Sequence, residues 1–197
     1  MRVGLFDYGA GNLHSLSKAL EAGGARVTIT RSWEEALALD ALVLPGVGSF
    51  GAAVRSLTGA EETVRAALAE GYPCLGICLG MQLFFHRSEE GEGRGIGILP
   101  GSVRRLQGRI VPQMGWNDVE IGPDPLFAGV RKLVAYYANS YVCRPTDPDT
   151  VIANTRYEGE VFPAGVRSGN TWGVQFHPEK SSSPGLRIIR NFLEPIR

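Results

Sequence analysis

YPCLGICLGMQ, residues 72–82, is an apolar run that ends in a cysteine with a glycine two positions away on either side. This spacing predicts a nucleophile elbow, in which a strand turns sharply into a helix and presents Cys78 at the turn. The residues two before and two after the nucleophile must be small because backbones crowd there, and Gly76 and Gly80 meet that demand. A buried cysteine in an ordinary strand-to-helix turn remains the alternative.

The position of Cys78 at the start of a helix favours its reactive form. Unpaired N–H groups and the positive end of the helix dipole stabilise a thiolate relative to a thiol. The N–H of Leu79, the next residue, would point to the place where a carbonyl oxygen becomes negative during attack. The elbow therefore predicts a cysteine nucleophile with half of an oxyanion hole beside it.

A cysteine nucleophile needs a base, and the chain has three histidines. His14 falls off the apolar face of its predicted helix, and His86 is expected near the end of the helix that starts at the elbow. His177 instead follows a strand-like run, with Glu179 two positions later. In an extended segment residues i and i+2 face the same side, which would let the carboxylate orient the imidazole. The predicted triad is Cys78, His177 and Glu179, and a surface loop with an incidental charge is the alternative for the last two.

Two glycine-rich segments follow predicted strands. VLPGVGSFG, residues 43–51, has glycines that permit unusual φ angles and close backbone approach to a ligand. It could also be a simple turn or cradle a phosphate, although the Lys-Ser/Thr of a Walker loop is absent. GAG at residues 9–11 resembles the start of the dinucleotide-binding pattern G-x-G-x-x-G. The third glycine of that pattern is missing, because position 14 is His, and this disfavours dinucleotide binding.

Length and charge limit the class of protein. The 197 residues predict one domain, residues 1–197, with a substantial core. Twenty basic and twenty acidic residues cancel, so no general attraction to nucleic acid or to an anionic membrane is expected. No run approaches transmembrane length and the N-terminus has the pattern of a strand, so a cytoplasmic protein is predicted. Cys74 and Cys143 are expected to be small packing groups rather than a disulfide pair.

Short apolar runs alternate with helical patterns in the first half of the chain, and strands dominate the second half. The pattern predicts an α/β fold, an open and mostly parallel sheet with helices on both faces and an antiparallel extension. Ligands of such sheets bind beyond the carboxyl ends of the strands, where the elbow and the 43–51 loop fall. The charged segment 88–95 is expected to be a solvated connection. The predicted strands are 3–6, 26–30, 41–44, 74–77, 103–106, 109–111, 117–121, 132–136, 151–153, 161–166 and 172–176, and the predicted helices are 12–22, 60–70 and 185–193.

GICLGMQ at 76–82 together with FHPE at 176–179 resembles the class I, or triad, glutamine amidotransferases, and the 43–51 loop is similar to their oxyanion loop. The resemblance implies a flavodoxin-like fold and hydrolysis of glutamine to glutamate and ammonia through a thioester on Cys78, with neither cofactor nor metal. It implies a second oxyanion donor near Gly46 and Val47, beside Leu79. The glutamine contacts that it implies are Gly48, Gln82, Glu90, Ser140 and Tyr141.

Three further segments narrow the resemblance: FDYGAGNL at 6–13, QMGWN at 113–117 and YYANSY at 136–141. Together they resemble the glutaminase subunits of imidazole glycerol phosphate synthases, which act in histidine biosynthesis. The resemblance implies a heterodimer in which ammonia passes to a (β/α)8 cyclase subunit that forms imidazole glycerol phosphate and aminoimidazole carboxamide ribonucleotide. Aromatic and cationic residues are favoured at such an interface. The candidates for docking around the triad are Asn12, Trp116, Asn117, Tyr136 and Lys180.

Other interpretations of the same residues remain open. A glutaminase subunit of another synthase, such as pyridoxal phosphate synthase, shares the elbow and the His-Pro-Glu segment but is not expected to carry all three further segments. A free-standing cysteine hydrolase or peptidase would use the same triad and would be active without a partner. A catalytically quiet interaction subunit is disfavoured by the intact Cys78, His177 and Glu179.

Overall fold

The structure is a computed structural model that describes residues 1–9 and 11–194. Ala10, within the 6–13 motif, and residues 195–197 of the predicted domain lie outside the described residues. In chain order the elements are β1 Arg2–Phe6, α1 His14–Ala22, β2 Arg26–Thr30, α2 Trp33–Leu37, β3 Ala41–Leu44, α3 Phe50–Leu57, α4 Glu61–Ala69, β4 Cys74–Ile77, α5 Leu79–Gln82, β5 Gly101–Arg105, β6 Gln113–Ile121, β7 Leu133–Asn139, β8 Tyr141–Pro145, β9 Val151–Tyr157, β10 Glu160–Ser168, β11 Thr171–Val174 and α6 Ser182–Leu193.

The main sheet has nine strands in the order β2-β1-β3-β4-β11-β10-β9-β6-β7. The strands from β2 to β11 are parallel, and those from β11 to β7 are antiparallel. A second sheet pairs β5 with β8 antiparallel. The predicted parallel α/β sheet with an antiparallel extension is thus confirmed. Strand β4, which leads to the elbow, is fully buried and lies near the centre of the main sheet.

Each face of the parallel strands is covered by helices. In β3, Ala41 and Val43 join the core beneath α1 and α6, while Leu42 and Leu44 join the core beneath α2, α3 and α4. Successive strand residues face opposite sides, so a strand that is apolar at every position fits between two helical layers. The central strands are therefore held from both sides, and their carboxyl ends are fixed in relation to each other.

Most predicted elements are present, and the differences have local causes. The predicted strand 109–111 is wrong, because Arg109 and Ile110 are exposed and the segment joins neither sheet. The elbow helix ends at Gln82 after one turn, so His86 lies beyond it, next to the bridge that Phe85 forms with Leu99. The helices α2 and α3 and the strand β8 were not predicted.

The unpredicted helices differ in how they are capped. The N-cap residue of α2 is Ser32, whose Oγ accepts the Glu35 N–H at 3.2 Å. α3 has no such local cap, and the N–H of Phe50 donates to Glu90 Oε2 at 2.9 Å, across 40 positions of the chain. A partner so distant cannot be read from the local pattern. Among the described residues, no helix is long and apolar enough to cross a membrane.

Candidate active site

The elbow holds Cys78 in a strained conformation, with φ +48° and ψ −101°. A positive φ costs a residue other than glycine about 1–3 kcal/mol and persists where the surroundings impose it. Here the Cys78 N–H donates to the carbonyl of Val174 at 2.7 Å, and its own carbonyl accepts the Gln82 N–H at 3.1 Å. A Cβ on Gly76 would lie 2.6 Å from the Gly80 carbonyl, so the crowding expected at the elbow is present.

His177 and Glu179 reach the elbow from the neighbouring strand. β11 runs parallel to β4, with Val174 opposite Ile77, so both strands end at the same edge of the sheet. Residues Pro178–Lys180 form a 3-10 turn that begins directly after His177, and His177 Nδ1 lies 2.9 Å from Glu179 Oε1. Both side chains are at least nine-tenths buried. The expected extended geometry is wrong, and the turn brings the two groups together instead.

The charge state of His177 follows from its surroundings. Burial lowers the pKa of the imidazole, but hydrogen bonds to Cys78 and Glu179 and the negative charges of both groups outweigh it and raise the pKa to about 10. An imidazolium beside the sulfur of Cys78 stabilises a thiolate. The three side chains therefore have the arrangement of a nucleophile, its proton donor and an orienting carboxylate.

The other two cysteines differ from Cys78. Cys74 and Cys143 are fully buried and free, and burial raises the pKa of both thiols well above the usual range. Neutral thiols of this kind are poor nucleophiles and pack as small apolar groups.

The 45–49 loop packs directly on the reactive groups. A Cβ on Gly46 would lie 2.8 Å from both Cys78 Cβ and His177 Cε1, so only glycine fits without a shift. Val47 packs against Gly11, which belongs to the segment after β1. As the first residue of α5, Leu79 has no acceptor within the helix for its N–H. Of the three predicted oxyanion residues, Gly46 and Leu79 thus lie at the elbow, and Val47 follows Gly46 in the same loop.

A cavity of about 190 Å³ opens in front of Cys78, and we call it the catalytic cavity. On this measure one water molecule needs about 10–15 Å³, so the cavity has room for a small organic molecule. All five residues expected to contact glutamine line it. Its lining consists of Gly46, Gly48, Cys78, Leu79, Gln82, Glu90, Ala138, Asn139, Ser140 and Tyr141.

Two of these residues are tied to the wall of the cavity. Gln82 is buried, and its Nε2 donates to the carbonyl of Tyr141 at 3.2 Å. One oxygen of Glu90, Oε2, accepts the N–H of Phe50, which secures the 88–91 turn against α3. The carboxylate is therefore held at the cavity rather than carried on a free loop.

Three of the expected docking residues, Trp116, Tyr136 and Lys180, lie on one surface. Together with Met114 they form what we call the aromatic patch. Trp116 and Tyr136 face each other across β6 and β7 in an edge-to-face contact with ring centroids 6.0 Å apart. Lys180 Nζ lies 5.7 Å from the centre of the Tyr136 ring. The patch adjoins the triad because the Tyr136 carbonyl accepts the His177 N–H at 2.9 Å.

The remaining two docking candidates differ from these three in their contacts. Asn117 follows Trp116 along β6, so its side chain projects to the opposite face of the strand, where Nδ2 donates to the carbonyl of Arg156 at 2.9 Å. Asn12 is exposed before α1 and accepts the His14 N–H at 2.8 Å. The side chain of Asn117 thus points away from the aromatic patch, and docking at Asn12 stays a prediction.

Sequence reasoning missed Gln175, which is completely buried and whose Nε2 lies 3.5 Å from Cys78 Sγ. Its Oε1 is buried without a hydrogen-bond partner. The pairing of Val174 with Ile77 places the next residue of each strand side by side, and this register cannot be read from the local sequence pattern. Ala138 and Asn139, which line the catalytic cavity, were also missed. Among the described residues, no group of three or more His, Cys, Asp or Glu side chains is placed to hold a metal ion.

Comparisons with known proteins agree with this geometry. The family model described as glutamine amidotransferase class-I matches residues 4–196. A protein from Methanocaldococcus jannaschii named imidazole glycerol phosphate synthase subunit HisH is 44% identical over 196 residues, covering 98% of each chain. A subunit of the same name from Geobacillus kaustophilus is 44% identical over 202 residues, covering 97% of this chain and 95% of that one. A chain in the solved structure of PurLQS from Thermotoga maritima has the same fold, with a TM-score of 0.76 at 20% identity over 100% of this chain and 99% of that chain. The chain belongs to the class I glutamine amidotransferases and, among them, to the HisH subunits of imidazole glycerol phosphate synthase.

Proposed function

We propose that Cys78, His177 and Glu179 hydrolyse the side-chain amide of L-glutamine to glutamate and ammonia, and that the ammonia passes to a cyclase subunit. The observation that carries this proposal is a strained cysteine at the floor of a cavity, next to a histidine that a buried carboxylate holds at 2.9 Å. Residues 1–197 would act as one amidotransferase domain.

Each member of the triad has a definite step. The thiolate of Cys78 attacks the carboxamide carbon, and N–H groups from Leu79 and from the Gly46-Val47 region receive the developing negative charge. Imidazolium His177 delivers a proton to the departing ammonia and then, as a neutral base, takes one from the water that cleaves the thioester. Glu179 orients the ring and stabilises its charged form.

The catalytic cavity supports recognition of the amino-acid end of glutamine. Glu90 uses Oε2 for Phe50, and its other oxygen, Oε1, would bind the α-ammonium group of the substrate. Gln82 is positioned by its bond to Tyr141 and would contact the substrate along the elbow helix. Gly48, with φ +100°, and Ser140 would complete the set through backbone groups that approach closely.

The proposed partner is a (β/α)8 cyclase subunit, and not a nucleic acid or a membrane. The relatives are named as subunits of a synthase, which implies a second subunit that uses the ammonia. Transfer without release matters because ammonia in neutral water becomes the non-nucleophilic ammonium ion. The aromatic patch beside His177 is the proposed docking surface. The cyclase subunit would use the ammonia to form imidazole glycerol phosphate and aminoimidazole carboxamide ribonucleotide. We place the reaction in the cytoplasm, where thiol nucleophiles stay reduced.

The test is glutamate release from glutamine by the purified chain alone, with the cyclase subunit, and with the cyclase subunit plus its nucleotide ligand. We expect strong stimulation only in the complete mixture and its loss in Cys78→Ala. Cys74→Ala removes a buried thiol away from the catalytic cavity and serves as the matched control. Equal activity without a partner would support a free-standing hydrolase, and activity in Cys78→Ala would rule out the proposed nucleophile.

A further inference from the structure

A second cavity, of about 980 Å³, lies on the other side of the 88–90 turn from the catalytic cavity. We call it the arginine cavity because Arg87, Arg94, Arg104 and Arg144 line it. Ser88 and Glu89 belong to its wall, whereas Glu90 belongs to the wall of the catalytic cavity. The segment 88–95, expected to be a plain solvated connection, thus forms one side of a concave site.

The arginine cavity is strongly positive although the chain has a formal net charge of zero. Glu89 supplies the acidic side chain of the lining, and its Oε2 accepts the backbone N–H of Arg105 at 2.8 Å. Within the described part of the chain, Arg87, Arg94 and Arg104 form no ion pair with a carboxylate. Three guanidinium groups therefore face the cavity with their charge uncompensated.

The opposite wall places two of the arginines close together. In the β5–β8 sheet Ser102 pairs with Arg144, so Arg104 occupies the diagonal position on the same face. Burial and the charge of Arg104 lower the pKa of Arg144. Arg144 also forms an ion pair with Glu160 and donates a hydrogen bond of 2.9 Å to the carbonyl of Val161, and these contacts fix its side chain. Like charges at this spacing repel each other, and an anion between them would remove that repulsion.

Neutral donors complete the lining. The Oγ of Ser88 accepts the N–H of Glu90 at 3.1 Å, which leaves its hydroxyl proton for a ligand. Ser102 lies on the same face as the two arginines of the sheet. His86 lines the cavity as well, but its Nδ1 is buried and its ring packs against Gly97, so no ligand contact is assigned to it. Guanidinium forks and hydroxyls together form a donor set that suits phosphate oxygens.

We propose that the arginine cavity binds a small molecule that carries at least two phosphate groups, one held by Arg87 and Arg94 and one by Arg104 and Arg144. A small molecule fits better than a nucleic acid for two reasons. The positive charge is confined to one concave site of a size suited to a small ligand. The lining holds no Phe, Tyr or Trp on which successive bases could stack.

The test is isothermal titration of the purified chain with inorganic pyrophosphate, inorganic phosphate and a single-stranded RNA oligonucleotide. We expect saturable, salt-sensitive binding of pyrophosphate, at least tenfold tighter than that of phosphate, because two groups engage two arginine pairs. Arg87→Gln/Arg94→Gln and, separately, Arg104→Gln should each weaken pyrophosphate binding about tenfold or more, since a hydrogen bond to a charged group is lost.

The matched control is Arg26→Gln/Arg156→Gln, which removes two exposed positive charges outside the arginine cavity. It should leave pyrophosphate affinity within twofold. Circular dichroism of each variant establishes that it is folded, and glutamine hydrolysis should persist in Arg87→Gln/Arg94→Gln. The absence of pyrophosphate binding, equal weakening by the control, or tighter binding of RNA than of pyrophosphate would each overturn the proposal.

Discussion

Cys78 is held by contacts on several sides of its sulfur. Its strained backbone is fixed by bonds to neighbouring segments, and Gln175 Nε2 lies 3.5 Å from Sγ. His177 contacts the same side chain, so the thiolate would accept from an imidazolium and from an amide. Two donors stabilise negative charge on sulfur more than one, and they also restrict where the sulfur can move.

Gln175→Met should slow the reaction of Cys78. The substitution keeps most of the side-chain volume and removes the N–H donor, and a hydrogen bond to a charged group contributes about 1.5–3 kcal/mol. We expect kcat/KM for glutamine and the rate of alkylation by iodoacetamide at neutral pH to fall about tenfold or more. Gln113→Met changes another buried glutamine that has no bond to Cys78 and is the control. Equal effects of the two variants would show that packing, not the donor, matters.

Glu179→Gln should move the alkaline limb of the pH profile to lower pH. His177 must carry a proton to release ammonia, so kcat/KM should fall as pH rises through its pKa, which is about 10. Removing the negative charge of Glu179 destabilises the imidazolium and lowers that pKa, so activity should be lost at lower pH. The measurement is kcat/KM against pH, with Glu62→Gln on the exposed face of α4 as control. An alkaline limb that stays in place in Glu179→Gln would contradict the assignment.

The elbow depends on close contact between two strands and a short helix. A Cβ on Gly80 would lie 2.1 Å from the carbonyl oxygen of Leu44 in β3, and backbone atoms on that side cannot give way cheaply. The neighbouring 45–49 loop is an extension of the same strand, so a change at the elbow would also displace it. The Gly80–Leu44 contact is therefore one of the contacts that set the position of the nucleophile and of its oxyanion donors.

Gly80→Ala should destabilise the protein strongly, whereas Gly51→Ala should not. Overpacking of a tight core costs about 1–3 kcal/mol or more, and here the obstacle is backbone. Gly51 lies inside α3, where an added Cβ would meet only the flexible end of the Arg55 side chain, at 3.5 Å. Alanine in a helix interior is favoured over glycine by about 0.5–1 kcal/mol. Urea-induced unfolding measures both changes. A free energy of unfolding unchanged in Gly80→Ala would disprove the close approach.

At the level of the assembled protein, the exposed apolar residues are unevenly placed. Met114 and Trp116 are 67% and 55% exposed and lie on one face of β6, next to Tyr136. Ile29, which is 50% exposed, lies on β2 at the far end of the main sheet. Aromatic groups at the centre of an interface contribute most of its binding energy. The aromatic patch is therefore expected to dominate association with the partner.

Trp116→Ala should weaken binding of the cyclase subunit, and Ile29→Ala should not. The loss of a central aromatic residue costs about 2 kcal/mol or more, which corresponds to at least tenfold in Kd. Asn117→Ala is expected to have a smaller effect than Trp116→Ala because its side chain faces the other side of β6. Surface plasmon resonance with immobilised cyclase subunit measures all three. Comparable losses for Trp116→Ala and Ile29→Ala would place the interface elsewhere.

Local pattern was sufficient for the features that depend on near neighbours in the chain. The glycines around Cys78, the His-Pro-Glu segment and the all-apolar strands β3 and β4 predict the elbow, two catalytic groups and a sheet covered on both faces, because spacing and side-chain alternation act over a few residues. The features that depend on residues far apart in the chain were decided by tertiary packing. Glu90 caps α3 across 40 positions, and Gln175 meets Cys78 through the β4–β11 register. The four arginines of the second cavity come together through a turn and a separate sheet. These neighbours are brought together by strand pairing and helix packing, and their separation in the chain leaves no local signature.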